Sequence, residues 1–436
     1  MLIRASHVVT ATGGVLRGAD VSVDGASFDT RSLRPGQLFV PIVADRDGHD
    51  YVASAASAGA AATLWARAAE PGVEIPTVTV ADTAVALMAL AEWARPRLDA
   101  VVVGITGSVG KTSTKDLVRA AVGAGRRVAA NERSFNNEQG LPVTLLGAAD
   151  DTEVLVLEMG MRGPGEIRRL CAVGRPDIGV VTAVAPAHTE RVGGIDGVAR
   201  AKAELVEALP DTGTAVLNAD DDRVAAMAAR TSAGVVTFGR SAGADVRIVG
   251  LALDGLARAR FTAETPWGPV AVALGVSGAH MAANAAAAIA VAGLAGVDLH
   301  DAAAALGRAE MAAMRMQVVA AASGGVVVND AYNANPTSMG AGLDALAAMT
   351  ARRRIAVLGE MAELDDPGPA HLAVASRAEE LGIELIAVGT DRYGVTAIEA
   401  TEVAARLGPI GPGVTVLVKA SRAVGLDAVA AALVVS

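Results

Sequence analysis

Residues 101–116, VVVGITGSVGKTSTKD, constrain the fold of this chain more than any other segment. A continuous apolar run, typical of a strand buried on both faces, meets a glycine-bearing turn and then a helix-like stretch. Such a junction offers unpaired backbone N–H groups and the positive end of a helix dipole to an anion. The segment therefore predicts an α/β domain with an anion-binding turn at a strand end.

The residue types in the turn favour a nucleoside triphosphate as this anion. Gly107 and Gly110 let the backbone curl closely around phosphates. Lys111 would neutralise the terminal phosphates, and the hydroxyl of Thr112 would ligate Mg²⁺. The strict GxxxxGK[ST] pattern requires glycine where this chain has Ile105, so only the GxxGKT core is present. The alternatives are a plain turn with a solvated lysine and, less favoured without GxGxxG after a strand, a dinucleotide loop.

The remainder of the chain alternates between continuous apolar runs and helical patterns. EVLVLEMG, DIGVVTAV and GTAVLNAD follow the turn, and GVVVND, RIAVLGEM, ELIAVGT and VTVLVKA occur after residue 312. This alternation indicates parallel sheets covered by helices on both faces. A length of 436 residues exceeds one ordinary core. We therefore expect an α/β protein of three domains: a small N-terminal α/β domain (1–99), a central P-loop ATPase-like parallel sheet (100–312) and a C-terminal Rossmann-like domain (313–436).

Composition excludes several classes of protein. Hydrophobic residues make up 52% of the chain, but much of this fraction is alanine, and the densest apolar stretch, residues 285–297, is shorter than a membrane span of ~20 residues. No signal-peptide pattern opens the sequence, and the single cysteine, Cys171, excludes an internal disulfide. A net charge of −10 argues against nucleic-acid binding. We expect a cytoplasmic protein without membrane insertion.

Polar side chains follow two of the predicted strands, where ligands bind in open parallel sheets. Glu158 follows EVLVL, and His188 follows DIGVVTAV. A carboxylate and an imidazole at adjacent strand ends would bind a divalent cation, although either residue could also be an ordinary surface or capping group. Lys202 follows in a helical pattern, where by itself it is typical of a solvent-facing lysine because an ammonium cannot ligate a metal.

Two further candidates lie near the last predicted domain. Asp330 ends the strand GVVVND and could accept hydrogen bonds from a ribose, or could be a turn aspartate. Pro336, six residues later, fits the first turn of a helix. Arg315 is the only charged residue between Glu310 and Asp330. It would form either a salt bridge at the domain boundary or a phosphate clamp across a cleft.

Seven motifs occur in the order found in the Mur ligase family, which the whole chain resembles: TGSVGKTSTKD, SFNNEQGLPVTLL, LEMGMRGPGEI, AHTERVGGIDGVARAKAEL, NADD, NDAYNANPTSM and VLGEMAEL. NNEQGLP and DAYNANP are the most specific. They imply the branch that adds D-alanyl-D-alanine to UDP-N-acetylmuramoyl tripeptide. The resemblance also includes FDTRSLRPGQLFVPI near the start of the chain and VLVKASR near its end.

The resemblance implies roles for individual residues. The ATP-binding set would be Gly107, Ser108, Val109, Gly110, Lys111, Thr112, Asn284, Arg315 and Asp330. Two Mg²⁺ ions would be held by Thr112, Glu158, His188 and Lys202, with Lys202 carbamylated by CO₂. Lys111, Lys202, His188 and Glu158 would serve catalysis. The substrate-binding set would be Asp29, Thr30 and Arg31 for the UDP-sugar, Asn136 and Asn137 near ATP and acceptor, and Asn333 and Asn335 for the dipeptide.

Three positions depart from the family pattern. The family usually has asparagine where Met281 stands, and glycine where Ala420 stands. AELDDPG replaces a more usual Glu-Leu-Gly sequence. Met281 removes a potential hydrogen bond near the nucleotide, and the other two changes bear on the loops that would bind the dipeptide.

The activity implied is ATP-dependent formation of an amide through an acyl phosphate, and we expect the protein to be a monomer. Two other functions remain open from the sequence. A folylpolyglutamate synthase shares the ATPase core, but DAYNANP and the full N-terminal domain disfavour it. A nucleotide-binding partner subunit without turnover of its own is disfavoured by the intact Glu158 and Lys202.

Overall fold

The structure is a computed structural model that describes residues 1–69, 72–131, 135–186, 192–362, 364 and 366–435. It contains three larger sheets with helices packed against them, arranged along the chain in order. The α/β class and the three-part architecture predicted from sequence are confirmed. No helix in the described ranges is long and apolar enough to cross a bilayer.

The N-terminal part contains a small mixed sheet. Its elements are β1 (Leu2–Arg4), β2 (Val15–Arg17), β3 (Ser22–Asp24), β4 (Ala26–Ser27), β5 (Leu38–Phe39), β6 (Ala62–Trp65), β7 (Thr77–Thr79), α1 (Ala5–Thr12), α2 (Val52–Ser57) and α3 (Thr83–Ala94). The strand order is β2–β7–β6–β5–β4, with β1 and β3 paired separately. Asp82 caps α3 by accepting from the N–H groups of Ala84 and Val85, and α3 ends before the turn that contains Pro96.

The central part contains one large sheet. Its strands are β8 (Val101–Thr106), β9 (Val128–Ala130), β10 (Val154–Glu158), β11 (Ile178–Val181), β12 (Thr214–Asn218), β13 (Gly234–Gly239), β14 (Val246–Leu253), β15 (Arg258–Glu264) and β16 (Val270–Ser277). Its helices are α4 (Lys111–Gly123), α5 (Gly140–Gly147), α6 (Glu166–Gly174), α7 (Gly194–Glu207), α8 (Asp222–Ala225), α9 (Met281–Leu294) and α10 (Leu299–Leu306). The order is β16–β15–β14–β13–β12–β11–β8–β10–β9.

This sheet is parallel from β9 to β14, but β14, β15 and β16 pair antiparallel. The sequence prediction of a purely parallel central sheet was therefore incomplete. Buried and exposed residues alternate along β15 and β16, as in a sheet that packs on one face and meets water on the other. β15, RARFTAE, lacks the continuous apolar run by which the parallel strands were found, whereas β16 begins with the apolar run VAVALGV and still pairs antiparallel.

The alanine-rich stretch at residues 285–297 falls largely within α9, which is a core helix. Ala285–Ala288 are fully buried, and α9 packs closely along α4. Small side chains let these two helix backbones approach each other. The packing fixes α4, and therefore the turn at its N-terminus, against the middle of the domain.

The C-terminal part repeats the parallel arrangement on a smaller scale. Its elements are β17 (Gln317–Ala320), β18 (Val326–Asn329), β19 (Arg353–Leu358), β20 (Glu384–Ala387), β21 (Val414–Lys419), α11 (Pro336–Ala348), α12 (Pro367–Glu380), α13 (Val403–Leu407) and α14 (Asp427–Val435). The order is β17–β18–β21–β19–β20, with only β17 antiparallel to its neighbour. Pro336 begins α11, as the sequence predicted.

Direct contacts join the N-terminal and central parts. The ammonium of Met1 donates to the carbonyl oxygen of Leu146 at 3.3 Å, and Arg95 Nε donates to that of Gly174 at 2.9 Å. The rings of Phe28 and Phe135 lie with centroids 5.4 Å apart. These contacts hold the N-terminal sheet against the face of the central domain that carries α5 and α6.

Candidate active site

A cleft of about 890 Å³ opens between the central and C-terminal parts, at the carboxyl ends of their parallel strands. Thirteen predicted site residues line it: Ser108, Val109, Gly110, Lys111, Thr112, Asn136, Asn137, Glu158, Asn284, Arg315, Asp330, Asn333 and Asn335. Residues far apart in sequence therefore converge on one cavity. This convergence is what the rule for ligand sites in open α/β sheets predicts.

The turn between β8 and α4 has two glycines that no other residue could replace without a shift. Gly110 has φ +83°, and a Cβ there would lie 2.9 Å from Asn284 Oδ1. Gly107 has φ +154°, and a Cβ there would lie 1.9 Å from the hydroxyl oxygen of Thr182. The turn thus packs closely against α9 and the end of β11, where the N–H of Ser108 donates to the carbonyl oxygen of Ala183 at 2.8 Å. The positive end of the α4 dipole lies at this turn.

The two polar side chains at the start of α4 are held by hydrogen bonds. Lys111 Nζ donates to the carbonyl oxygen of Gly107 at 2.7 Å, so its charge lies over the turn. Thr112 is buried, and its hydroxyl accepts from Arg315 Nη2 at 3.0 Å. The start of α4 and Arg315, which belongs to the C-terminal part, are therefore in contact at Thr112.

Glu158, at the end of β10, is a buried carboxylate with one oxygen unpaired. The residue is 1% exposed, and its Oε1 accepts from Asn136 Nδ2 at 2.7 Å. Its Oε2 has no hydrogen-bond partner among the described residues. Burying an ionised oxygen without a partner is costly, so the arrangement fits a cation at this oxygen. No group of three or more His, Cys, Asp or Glu side chains converges in the described ranges.

Lys202 lies on α7 and is 4% exposed. The expectation from the residue alone, a solvent-facing lysine, was wrong. Burial, with a smaller contribution from the charge of Lys111, lowers the pKa of Lys202 well below its usual range. No described carboxylate forms an ion pair with this amine. His188, the other predicted metal ligand, lies outside the described residues.

Arg315 forms a clamp across the cleft and no boundary salt bridge to a described residue. Besides donating to Thr112, its guanidinium stacks on the ring of Tyr332, 4.2 Å from the centroid. Its neighbours Met314 and Met316 have φ +60° and +49°, in the left-handed region that costs non-glycine residues energy. With the backbone in this conformation, the side chain of Arg315 extends to Thr112, at the end of the turn between β8 and α4.

Asp330 belongs to a buried ion pair that the sequence analysis did not find. Lys419 Nζ is 2.5 Å from Asp330 Oδ2 and 2.9 Å from the carbonyl oxygen of Asn333, and Lys419 is 2% exposed. Asp330 Oδ1 accepts from the N–H of Met316 at 3.0 Å. Lys419 ends β21 directly beside Asp330, so its position at a strand end was a usable signal.

Two of the predicted amide residues also have structural roles. Asn137 Oδ1 accepts from the N–H groups of Gln139 and Gly140 at the start of α5. Asn335 caps α11 by accepting from the N–H of Ser338 at 2.9 Å. Each side chain is thereby held in one orientation at the edge of the cleft.

Asp29, Thr30 and Arg31 do not line this cleft. They lie in the N-terminal part, where Arg31 Nη2 and Asp29 Oδ2 form an ion pair at 2.7 Å. Phe28 immediately before them contacts Phe135, which precedes the cleft residue Asn136. The predicted UDP-sugar region is therefore connected to the central site through an aromatic contact.

The unusual residues Met281 and Ala420 are both accommodated. Met281 is buried, and its sulfur accepts from Asn284 Nδ2 at 3.5 Å. The thioether therefore contacts a residue that is predicted to bind the nucleotide. Ala420 is fully buried, and a Cβ at Gly359 would lie 2.8 Å from that of Ala420. Glycine at 359 thus leaves space for the extra methyl group.

A buried polar network connects the segment before Arg315 to Glu158, the carboxylate that is predicted to bind Mg²⁺. Asp116 Oδ2 accepts from the N–H of Ala312 at 2.8 Å, and its Oδ1 is 3.1 Å from Lys115 Nζ. Lys115 donates to the carbonyl oxygen of Asn131, whose Oδ1 accepts from the N–H of Glu158. The network holds the link to the C-terminal part against α4.

We expect Asp116→Ala to lower the free energy of unfolding by about 3 kcal/mol, because it removes the carboxylate that neutralises the buried Lys115 charge and the acceptor of the Ala312 N–H. Asp116→Asn should cost less, since its amide oxygen still accepts from Ala312. Urea denaturation measures both. Asp150→Ala, at an exposed position, is the control and should change stability by less than about 0.5 kcal/mol. A change below about 1 kcal/mol for Asp116→Ala would contradict the assignment.

Comparisons with known proteins agree with this geometry. The model of the Mur ligase middle domain matches residues 105–292, and that of the Mur ligase glutamate ligase domain matches residues 314–434. A relative from Mycobacterium tuberculosis (strain ATCC 25618 / H37Rv), UDP-N-acetylmuramoyl-tripeptide–D-alanyl-D-alanine ligase, is 40% identical over 99% of this chain and 98% of its own length. The chain belongs to the Mur ligase family.

Solved structures of this family have the same fold throughout. A crystal structure of MurF from Acinetobacter baumannii has a TM-score of 0.88 at 27% identity and covers 100% of this chain and 99% of that one. MurF ligase from Thermotoga maritima, solved in complex with ADP, has a TM-score of 0.80 at 26% identity, covering 94% and 97% of the two chains. The three-part architecture of this Mur ligase is therefore that of its relatives.

Proposed function

We propose that this Mur ligase joins D-alanyl-D-alanine to UDP-N-acetylmuramoyl tripeptide at the expense of ATP, forming ADP and phosphate in peptidoglycan precursor synthesis. The observation that carries the proposal is the cleft in which the phosphate turn, the half-paired Glu158 and the residues of DAYNANP converge. The names of the full-length relatives support the choice of branch.

ATP would lie along the turn from Gly107 to Thr112. Lys111, already placed over the turn by its bond to Gly107, would neutralise the β- and γ-phosphates. Arg315 would clamp the phosphates from the C-terminal side, since its guanidinium reaches Thr112. Asn284, beside Gly110, and Asp330 would contact the nucleotide and its ribose.

The residues present fit Mg²⁺. The buried Oε2 of Glu158 lacks a described partner, and the hydroxyl of Thr112 lies at the same end of the cleft. We propose that these two residues hold one ion and that His188 and Lys202 contribute to a second, with Lys202 as a carbamate. When bound, Mg²⁺ would neutralise charge between the phosphates and the reacting carboxylate.

The chemistry proceeds in two steps. The tripeptide carboxylate attacks the γ-phosphorus of ATP, so that a carbonyl-O–P bond forms, the bond to ADP breaks, and an acyl phosphate results. The dipeptide amine then attacks the acyl carbon, loses a proton and expels phosphate, leaving an amide. Lys111 and Arg315 stabilise the charge that develops, and the walls of the cleft keep water from the acyl phosphate.

The three parts of the chain would divide the substrates among them. We propose residues 1–99, with Asp29, Thr30 and Arg31, for the UDP-sugar, and residues 100–312 for ATP. Residues 313–436 would take the dipeptide near Asn333 and Asn335, with Asn136 and Asn137 between ATP and acceptor. One chain carries all of these groups, so we propose that a monomer is active.

The test is phosphate release with UDP-N-acetylmuramoyl tripeptide and ATP, with and without D-alanyl-D-alanine. We expect release to depend on the dipeptide and to be at least about 100-fold slower with diaminopimelate, lysine or glutamate, which cannot use the groups that bind a dipeptide. Turnover with glutamate and a folate, but not with D-alanyl-D-alanine, would identify a folylpolyglutamate synthase. No turnover with any amine would favour a non-catalytic nucleotide-binding subunit.

A further inference from the structure

D-alanyl-D-alanine carries a carboxylate at the end opposite to its reacting amine. Anchoring this carboxylate on the C-terminal wall of the cleft would direct the amine towards the phosphate turn. We propose that Arg422 binds the carboxylate and thereby selects a dipeptide with a free C-terminus. The inference rests on the proposed function and adds the group that recognises the far end of the amino substrate.

The distribution of charge in the cleft favours Arg422. The described cationic side chains that line the cleft are Lys111, Arg162, Arg315, Lys419 and Arg422. Lys111 and Arg315 lie at the phosphate turn, and Arg162 follows β10 on the central wall. Lys419 is committed to Asp330. On the C-terminal wall this leaves Arg422 for an anionic substrate group.

The guanidinium of Arg422 has a free hydrogen-bonding edge. Its Nη1 is 3.1 Å from Asp427 Oδ1 and donates to the sulfur of Met314 at 2.9 Å. Its Nε and Nη2 donate to no residue that the structure describes. These two N–H groups point in parallel and match the two oxygens of a carboxylate. The pair with Asp427 fixes one side of the group and leaves this edge for a ligand.

The backbone beneath Arg422 is rigidly held. Ser421 is buried, its N–H donates to the carbonyl oxygen of Glu360 at 3.0 Å, and its hydroxyl accepts from the N–H of Ala362 at 2.9 Å. Ala362, Ser421 and Arg422 all line the cleft. The arginine therefore projects from a fixed point at the end of β21, where a long flexible side chain needs such support to bind selectively.

The test compares D-alanyl-D-alanine with D-alanyl-D-alaninamide, which lacks the negative charge. For the wild-type chain we expect kcat/KM to be roughly 10- to 100-fold higher with the dipeptide than with the amide, the range for a hydrogen bond to a charged group. In Arg422→Ala this ratio should fall to about 1, while the KM values for ATP and for the UDP-tripeptide stay within about twofold. Arg422→Lys keeps the positive charge but lacks the two parallel N–H groups of a guanidinium, so it should give an intermediate ratio.

Arg377→Ala is the matched control. Arg377 lies in the same domain, is 45% exposed against 55% for Arg422, and pairs with Asp344 outside the cleft. It should keep the wild-type ratio. An unchanged ratio in Arg422→Ala would overturn the proposal, as would an increase in the KM for the UDP-tripeptide instead of the dipeptide. Failure of the wild-type chain to use the dipeptide at all would instead contradict the proposed function.

Discussion

Lys111→Ala is expected to reduce ligase activity at least about a thousandfold while leaving the protein folded. The side chain is half-buried over the phosphate turn and packs no core, so its removal costs little stability. Its ammonium lies against the carbonyl oxygen of Gly107, in the turn that we propose for the terminal phosphates. Removing one charge-stabilising donor from an enclosed site commonly costs two to three orders of magnitude in turnover.

Phosphate release under saturating substrates measures this loss, and circular dichroism with thermal unfolding measures the fold. Lys111→Arg serves as a companion variant that keeps the charge but changes its position and shape. It should remain strongly impaired, because an in-line transfer depends on placement of the charge. Near-normal turnover of Lys111→Ala would show that the turn does not hold the phosphates of ATP.

Lys202→Ala is expected to lose at least about 100-fold of activity, and Lys202→Arg should not restore it. The reason is that a carbamate at Lys202 presents an anionic oxygen, whereas arginine keeps a positive charge that repels a metal ion. Burial lowers the pKa of the Lys202 amine, and the neutral amine that this favours is the form that reacts with CO₂. The buried position on α7, where no described carboxylate pairs with the amine, is therefore suited to this modification.

Two measurements separate a carbamate from a structural lysine. Acetate at high concentration should partly restore Lys202→Ala by supplying the missing carboxylate, and should not affect Lys111→Ala. Lys202→Met should be inactive but at least as stable as the wild type, since it replaces a buried amine by an apolar chain of similar length. A crystal structure with ATP and Mg²⁺ in which Lys202 is unmodified and points to solvent would refute the prediction.

The parallel strands could be located from sequence because each is a continuous apolar run followed by a helix. β8, β10 and β11 all lie where the sequence predicts them. The antiparallel strands β15 and β16 were missed: β15 alternates polar and apolar residues, which gives a weak signal, and the apolar run VAVALGV of β16 was overlooked. Local periodicity thus identified buried strands and overlooked those that are solvated on one face.

One signal in the composition was overlooked. Lysine stands at only four positions of the chain, 111, 115, 202 and 419, and all four side chains are buried or half-buried. Lysine is among the residues least often buried, so a chain that buries or half-buries its few lysines marks a polar site. This pattern could have identified Lys419 beside Asp330.

The sequence by itself determined the glycine-bearing turn between β8 and α4, the strand-end position of Glu158 and the family of the protein. These features depend on short-range chemistry: glycines at positive φ, a lysine at a helix start and a carboxylate after a buried strand. Only the tertiary structure decided which residues meet. Burial of Lys202, the reach of Arg315 to Thr112 and the contact of Arg422 with Met314 arise from packing between segments far apart in the chain, which no local pattern relates.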